Sequence, residues 1–220
     1  MSENQSVANV PKTRNVKDIK SGGQLAPIVP ATIDDAYRFA LLIHRSGIAP
    51  NDMGSPGKIV TSILAGMEVG LSPMQAVQSI AMINGRPSVW GDAALGLVEK
   101  SGFLEDFGES MRGEGDAMTA TCFAKRKGRK TVIQHSFSVA DAKKAGLWGK
   151  KGPWSNYPQR LLQLRARSWV FRDGFSDVMK GLQCAEEVRD YSQVHTVNVD
   201  DDTPQATAAD ILGKNEDVVV

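Results

Sequence analysis

KRKGRKTVIQHSFSVADAKKAGLWGKKGPWSNYPQRLLQLRARSWVFR, running from Lys125 to Arg172, is the stretch from which the rest of the chain is read. It opens on a basic turn, Lys127-Gly128-Arg129, between two segments rich in strand-forming residues. Val132, Ile133 and Phe137 favour a strand over Lys130 to Phe137. Ser138 and Asp141 then stand three apart, the spacing that begins a helix, here Val139 to Ala145 with Gly146 to end it. A glycine-rich aromatic loop, Leu147 to Trp154, leads to Ser155 or Asn156 as the cap of the longest helix. Pro158 lies in its first turn and Gly174 terminates it after Asp173.

Upstream of the turn, Met118 to Lys125 reads as a strand on Thr119, Thr121 and Phe123, and Phe103 to Met111 as another, with the acidic turn Gly113-Glu114-Gly115-Asp116 between them. Three strands joined by short turns predict an antiparallel meander. A second, smaller β element is predicted at Asn84-Gly85, a strong hairpin signal between Ala81-Met82-Ile83 and Arg86-Pro87-Ser88-Val89. Pro87 restricts the second arm to an edge or to a short strand.

Helices fill the rest. Thr32, three residues before Asp35, opens one that Gly47 and Pro50 stop; Ile59, Ile63 and Met67 form the stripe of another over Lys58 to Glu68. Ser72-Pro73-Met74-Gln75 caps a short third, Asp92 a helix over Ala93 to Lys100, and Phe175 to Glu187 reads as one more. The predicted class is α+β: a three-stranded antiparallel meander plus a short β-hairpin packed with about five helices. Residues 1–30 read as a disordered arm, 31–190 as a single core and 191–220 as a disordered acidic tail.

Charge divides along the same lines. The chain carries a formal +1, but the first thirty residues hold +2 and the last thirty −5, which leaves the core at +4. Within it, Lys125 to Arg172 has thirteen basic residues against the single acid Asp141. Trp148, Trp154 and Trp169 are set among those charges, a footprint for a polyanion and for nucleic acid in particular. At 100° per residue, Leu162, Ala166, Trp169 and Val170 share one face of the long helix, while rows of arginine flank Leu161 and Ser168 on the other. Planar guanidinium donors suit phosphate oxygens. The competing expectation is that some of these arginines pair beneath the surface with Asp173, Asp177, Glu186 or Glu187.

Other chemistries find little footing. Each Gly-Lys pair lacks the upstream glycine or the following Ser/Thr of a phosphate loop. No acidic cluster in the basic stretch could hold two magnesium ions; Asp92, Glu99, Glu105 and Asp106 read as caps and surface charges. His44, His135 and His195 lie far from one another and from Cys122 and Cys184, so no zinc site is expected, and the two cysteines read as reduced and structural. No apolar run is long enough to cross a membrane, and no signal-peptide core stands at the N-terminus. Neither catalysis nor a cofactor is expected.

Three passages together resemble the RecT/Bet (lambda Red beta) family of phage single-strand annealing proteins. They are Gly70-Leu71-Ser72-Pro73; the basic hairpin Cys122 to Arg129; and Gly152-Pro153-Trp154 followed by Tyr157-Pro158-Gln159-Arg160-Leu161-Leu162, continuing through Arg165, Arg172 and Phe175 to Ala185-Glu186-Glu187. The order and spacing agree across roughly residues 58–188. The resemblance implies ATP-independent binding and annealing of complementary single strands, through an annealed duplex intermediate, in a bacterial host's cytoplasm. It also implies a homo-oligomer, ring or helical filament, with a phage exonuclease or a host single-strand binding protein as partners. Family positions that contact phosphates match Arg160, Arg165 and Arg172, and the basic turn and aromatic loop add Lys125, Lys127, Arg129, Lys150, Lys151 and Trp154 as nucleic-acid-binding candidates. Gln159 stands where the family usually has lysine, and a short acidic tail replaces the partner-binding domain of the lambda-type protein. The rival readings are a passive single-strand binder and a nuclease whose acids do not form a recognisable pattern.

Overall fold

The computed structural model describes residues 27–191. Most of the expected N-terminal arm and nearly all of the acidic tail lie outside the described residues. Within them the chain is α+β, as read from the sequence. Five helices have seven residues or more: α1 (Ile33–Arg45), α2 (Pro56–Glu68), α3 (Pro73–Ser79), α4 (Gly91–Lys100) and α7 (Pro158–Gly174). Four are shorter: α5 (Val139–Lys144), α6 (Pro153–Asn156), α8 (Ser176–Met179) and α9 (Ala185–Val188).

Local chemistry sets most of these boundaries. The Thr32 hydroxyl accepts the N–H of Asp35 at the start of α1, and Ser55 does the same for Lys58 at the start of α2. Ser72 with Gln75, and Ser138 with Asp141, form reciprocal capping boxes for α3 and α5. The continuous helix expected over Phe175 to Glu187 is instead split into α8 and α9. Lys180 and Gly181 take positive φ values of 46° and 85°, which no right-handed helix can accommodate.

β1 (Ile80–Ile83) and β2 (Arg86–Val89) form the hairpin that Asn84-Gly85 turns, with Asn84 at φ 51° and Gly85 at φ 74°, the left-handed pair that suits the twist of such a connection. β3 (Leu104–Arg112), β4 (Thr119–Arg126) and β5 (Val132–Ser138) make a separate antiparallel sheet in the order β3-β4-β5. Ala120, Cys122 and Ala124 alternate inward from β4 and α7 lies across them, so small residues on the strand let the helix sit close.

Two apolar cores result. The larger joins the sheet, α4, α7 and α8 around Val98, Phe137, Leu162, Val170, Phe171 and Phe175. The smaller lies among α1, α2 and α3 around Ala40, Ile43, Met53, Ile59, Ile63 and Val77. Gly66 allows α2 and α3 to touch, since a Cβ there would stand 2.3 Å from that of Ala76. Lys100 and Lys180 tie the two halves by donating to the carbonyls of Gly70 and Glu68 at the end of α2.

Candidate nucleic-acid interface

α7 is buried on nearly every side, so its predicted split into an apolar face and an exposed arginine face does not hold. Leu161 and Ser168, expected between exposed arginine rows, are covered, and so are Arg165 and Arg167. The cause is a set of carboxylates brought in from distant segments. Arg167 donates from Nε and Nη2 to the two oxygens of Glu109, each at 2.7 Å, and from Nη1 to Asp92 and the Gly91 carbonyl. Gln163 donates to Glu109 as well, and Arg160 bonds both Gln163 and Asp92. Burial works against the charge on Arg167, but the Glu109 and Asp92 hydrogen bonds outweigh it and hold the guanidinium more firmly protonated than usual.

The other end of the buried arginine set faces α9. Arg165 lies 3.6 Å from Glu187 and 3.5 Å from Asp190, and its guanidinium sits over the Phe137 ring. Glu187 also accepts from Ser168, Arg172 and Tyr191. Burial opposes its ionisation, yet these donors and the two arginines bring its pKa below the usual carboxylate value. Burial pushes Asp190 the other way, upward, although the Trp154 indole N–H donates to it at 2.9 Å. Glu186 takes the Gly91 N–H on both oxygens; burial nevertheless holds its pKa above the ordinary range.

Sorting the thirteen basic residues by partner separates scaffold from surface. Seven have a carboxylate within 4 Å: Lys125 (Glu105), Arg126 (Asp177), Lys143 (Asp116), Arg160 (Asp92), Arg165 (Glu187, Asp190), Arg167 (Asp92, Glu109) and Arg172 (Glu187). Among the described residues the remaining six, Lys127, Arg129, Lys130, Lys144, Lys150 and Lys151, are exposed and have no such carboxylate. They form two groups. Lys127, Arg129 and Lys130 ring the β4–β5 turn; Lys144, Lys150 and Lys151 follow the far end of β5.

α7 runs between the two groups. It begins where Gln159 reaches Met118 at one end of the sheet and ends where the Gly174 carbonyl accepts from Arg126 beside the basic turn. Seventeen residues at 1.5 Å each make α7 about 25 Å long. Arg160 near the start and Arg172 near the end keep part of their guanidinium in solvent, with side chains 38% and 46% exposed.

The nine candidate residues therefore fall into three kinds. Lys127, Arg129, Lys150 and Lys151 are exposed and unpaired. Lys125, Arg160 and Arg172 are partly exposed and already paired. Arg165 and Trp154 are interior residues, 7% and 4% exposed, in place of the surface contacts expected of them. Lys130 and Lys144, which belong with the first kind, stand outside the nine candidates. Their only signal was charge. Of the carboxylates named as alternative partners, Glu187 does hold Arg165 and Arg172, whereas Asp177 takes Arg126 and Asp173 takes His135. Asp92, read as a cap and surface charge, keeps a side chain 73% exposed but lies in the first turn of α4 rather than at its cap, where it pairs with two arginines.

Cys122 and Cys184 are buried free thiols whose pKa burial pushes up to about 12. Thiolate chemistry at neutral pH has no purchase there. Among the described residues no helix is long and apolar enough to cross a membrane. No protein-family model matches the chain, and no curated protein compared with it matches either.

Proposed function

We propose that this protein binds single-stranded DNA and promotes the annealing of complementary strands without nucleotide hydrolysis, in the manner of the RecT/Bet proteins it resembles. The observation that carries the proposal is the pair of unpartnered cation groups, three side chains each, at the two ends of α7. Free ammonium and guanidinium groups neutralise phosphates and release condensed counterions, which supplies affinity without reading sequence. Holding a strand at both ends of a braced helix, with its charge reduced, lowers the repulsion that a second strand meets on approach.

In this reading the buried arginines act as framework. They lock α7, α4, β3 and α9 into one body, so that the two cation groups keep a fixed spacing. Arg160 and Arg172 reinforce the path from the side, each anchored by a carboxylate and still partly in solvent. Homo-oligomerisation would extend that path from subunit to subunit along a strand.

Mixing two complementary labelled strands with the purified protein tests the proposal. Accelerated duplex formation at full strand length supports it. Protection of the strands without faster pairing identifies a passive binder, and shortened products identify a nuclease.

A further inference from the structure

The three-stranded sheet has two unlike faces. α7 takes the inner one, where Phe107 meets Phe171 and Glu109 meets Arg167. On the outer face the strand register places Gly108, Phe123 and Gln134 in one row across the sheet and Ser110, Thr121 and Ser136 in the next. Ser110, Gln134 and Ser136 are exposed and Phe123 is half-buried. Thr121 and Ser136 share a hydroxyl hydrogen bond of 2.8 Å.

Phe123 is held in an unusual way. Its ring leans across Gly108 on the neighbouring strand, where an added Cβ would stand 2.3 Å from the nearest ring carbon. Glycine in a strand interior costs stability and offers nothing to pack, so its use here makes room for the ring to lie over the sheet. The result is an aromatic surface beside a carboxamide and a row of hydroxyls. Directly opposed residues on neighbouring antiparallel strands have Cβ atoms about 5 Å apart, which puts the Gln134 amide within reach of anything stacked on the ring.

We infer that this outer face is a nucleobase platform, on which Phe123 stacks a base of the bound single strand and Gln134 hydrogen-bonds its edge. The inference rests on the single-strand reading above and names a site which that reading does not. A base needs one flat apolar surface and in-plane donors and acceptors beside it, and sheet faces bearing aromatics supply both. Phosphates have nearby partners: Lys127, Arg129 and Lys130 lie in the turn at one end of the face. Arg112, exposed and without a carboxylate within 4 Å among the described residues, lies at the other. The acids close by are largely engaged, Glu105 with Lys125 and Asp116 with Lys143, which leaves Asp106 and Glu114 against those four cations. A second copy of this chain is a poorer occupant, because the centre of a stable protein interface is apolar and this face is mostly hydroxyl and amide.

The test compares the full chain with Phe123→Leu and, independently of any folding defect there, with the exposed-site variant Ser136→Glu. Each is titrated at low salt with a fluorescent thymidine oligonucleotide and with an abasic oligonucleotide of equal length. Phe123→Leu should lose about tenfold in affinity for the base-bearing strand, the usual effect of removing one stacking contact. Ser136→Glu should also weaken binding of that strand, because its carboxylate repels a polyanion laid on this face. Phe123→Leu should leave abasic binding unchanged, and the parent should itself prefer the base-bearing strand. Equal binding by parent and Phe123→Leu across both probes overturns the platform and leaves the single-strand reading intact. A parent that binds neither probe overturns both. A change in the mass of the DNA-free protein with unaltered affinity assigns the face to self-association and overturns the platform.

Discussion

Replacing Arg167 with Met isolates the scaffold role of the buried arginines. The side chain is 3% exposed and makes four hydrogen bonds, to both oxygens of Glu109, to Asp92 and to the Gly91 carbonyl. Methionine fills similar length but donates nothing. Glu109, itself 13% exposed, would keep only the Gln163 amide, and the Gly91 carbonyl would lose its partner. Breaking a buried ion pair from one side costs about 3–5 kcal/mol. For a chain of this size that is a fall in Tm of roughly 6–20 °C. The assay is thermal denaturation followed by circular dichroism at fixed pH and salt, with single-strand affinity measured well below the transition. Affinity should stay within about twofold of the parent, because the guanidinium does not reach solvent. Adding Glu109→Met should recover part of the loss, since removing both partners spares the stranded charge. A Met variant that melts within about 2 °C of the parent but binds DNA poorly would refute the assignment of Arg167 to the framework.

Changing Lys127, Arg129 and Lys130 together to Ala should leave the melt unaltered. The log–log salt slope for single-strand binding should shrink by about 2, at about 0.7 per phosphate contact. Trp169, half-buried and packed edge-on against Phe137 with centroids 5.4 Å apart, should cost about 2 kcal/mol as Ala; fully buried Phe171 should cost about 3–5 kcal/mol. Paired thermal melts check the order, and a reversed order would mean that α7 is rotated about its axis. The hydrogen bonds from Arg126 depress the Asp177 pKa to about 2, below the value of about 4 in an unfolded chain. That contribution is complete above about pH 4 and disappears as pH falls towards 2. Melts of the parent and of Asp177→Asn should therefore differ at pH 5 and converge near pH 2; a constant gap would contradict the pairing.

The architecture was open to local reading because local chemistry makes it. Thr32, Ser72-Pro73-Gln75 and Ser138-Asp141 cap helices within three residues of themselves, and Asn84-Gly85 turns a hairpin by its own backbone preference. The split between α8 and α9 was hidden, because Lys180 is an ordinary helix former forced into a left-handed turn while its amine reaches Glu68. The candidate interface was only half legible. Glu109 meets Arg167 from 58 positions away and Asp92 meets it from 75, so no window of sequence around α7 announces that its arginines are interior. Charge density marked the stretch that carries these side chains, but which of their charges are already satisfied is a property of tertiary packing. The exposed lysines of the turn and loop survived that filter, since tight connections carry few neighbours able to neutralise them.

The salt dependence of single-strand affinity tests the central claim most directly. Titrating one labelled oligonucleotide with the parent protein between 50 and 200 mM salt should give a linear log–log plot. If all six unpartnered cations contact phosphates, its slope should be about −4. A flat response, or no binding at 50 mM, would contradict the account.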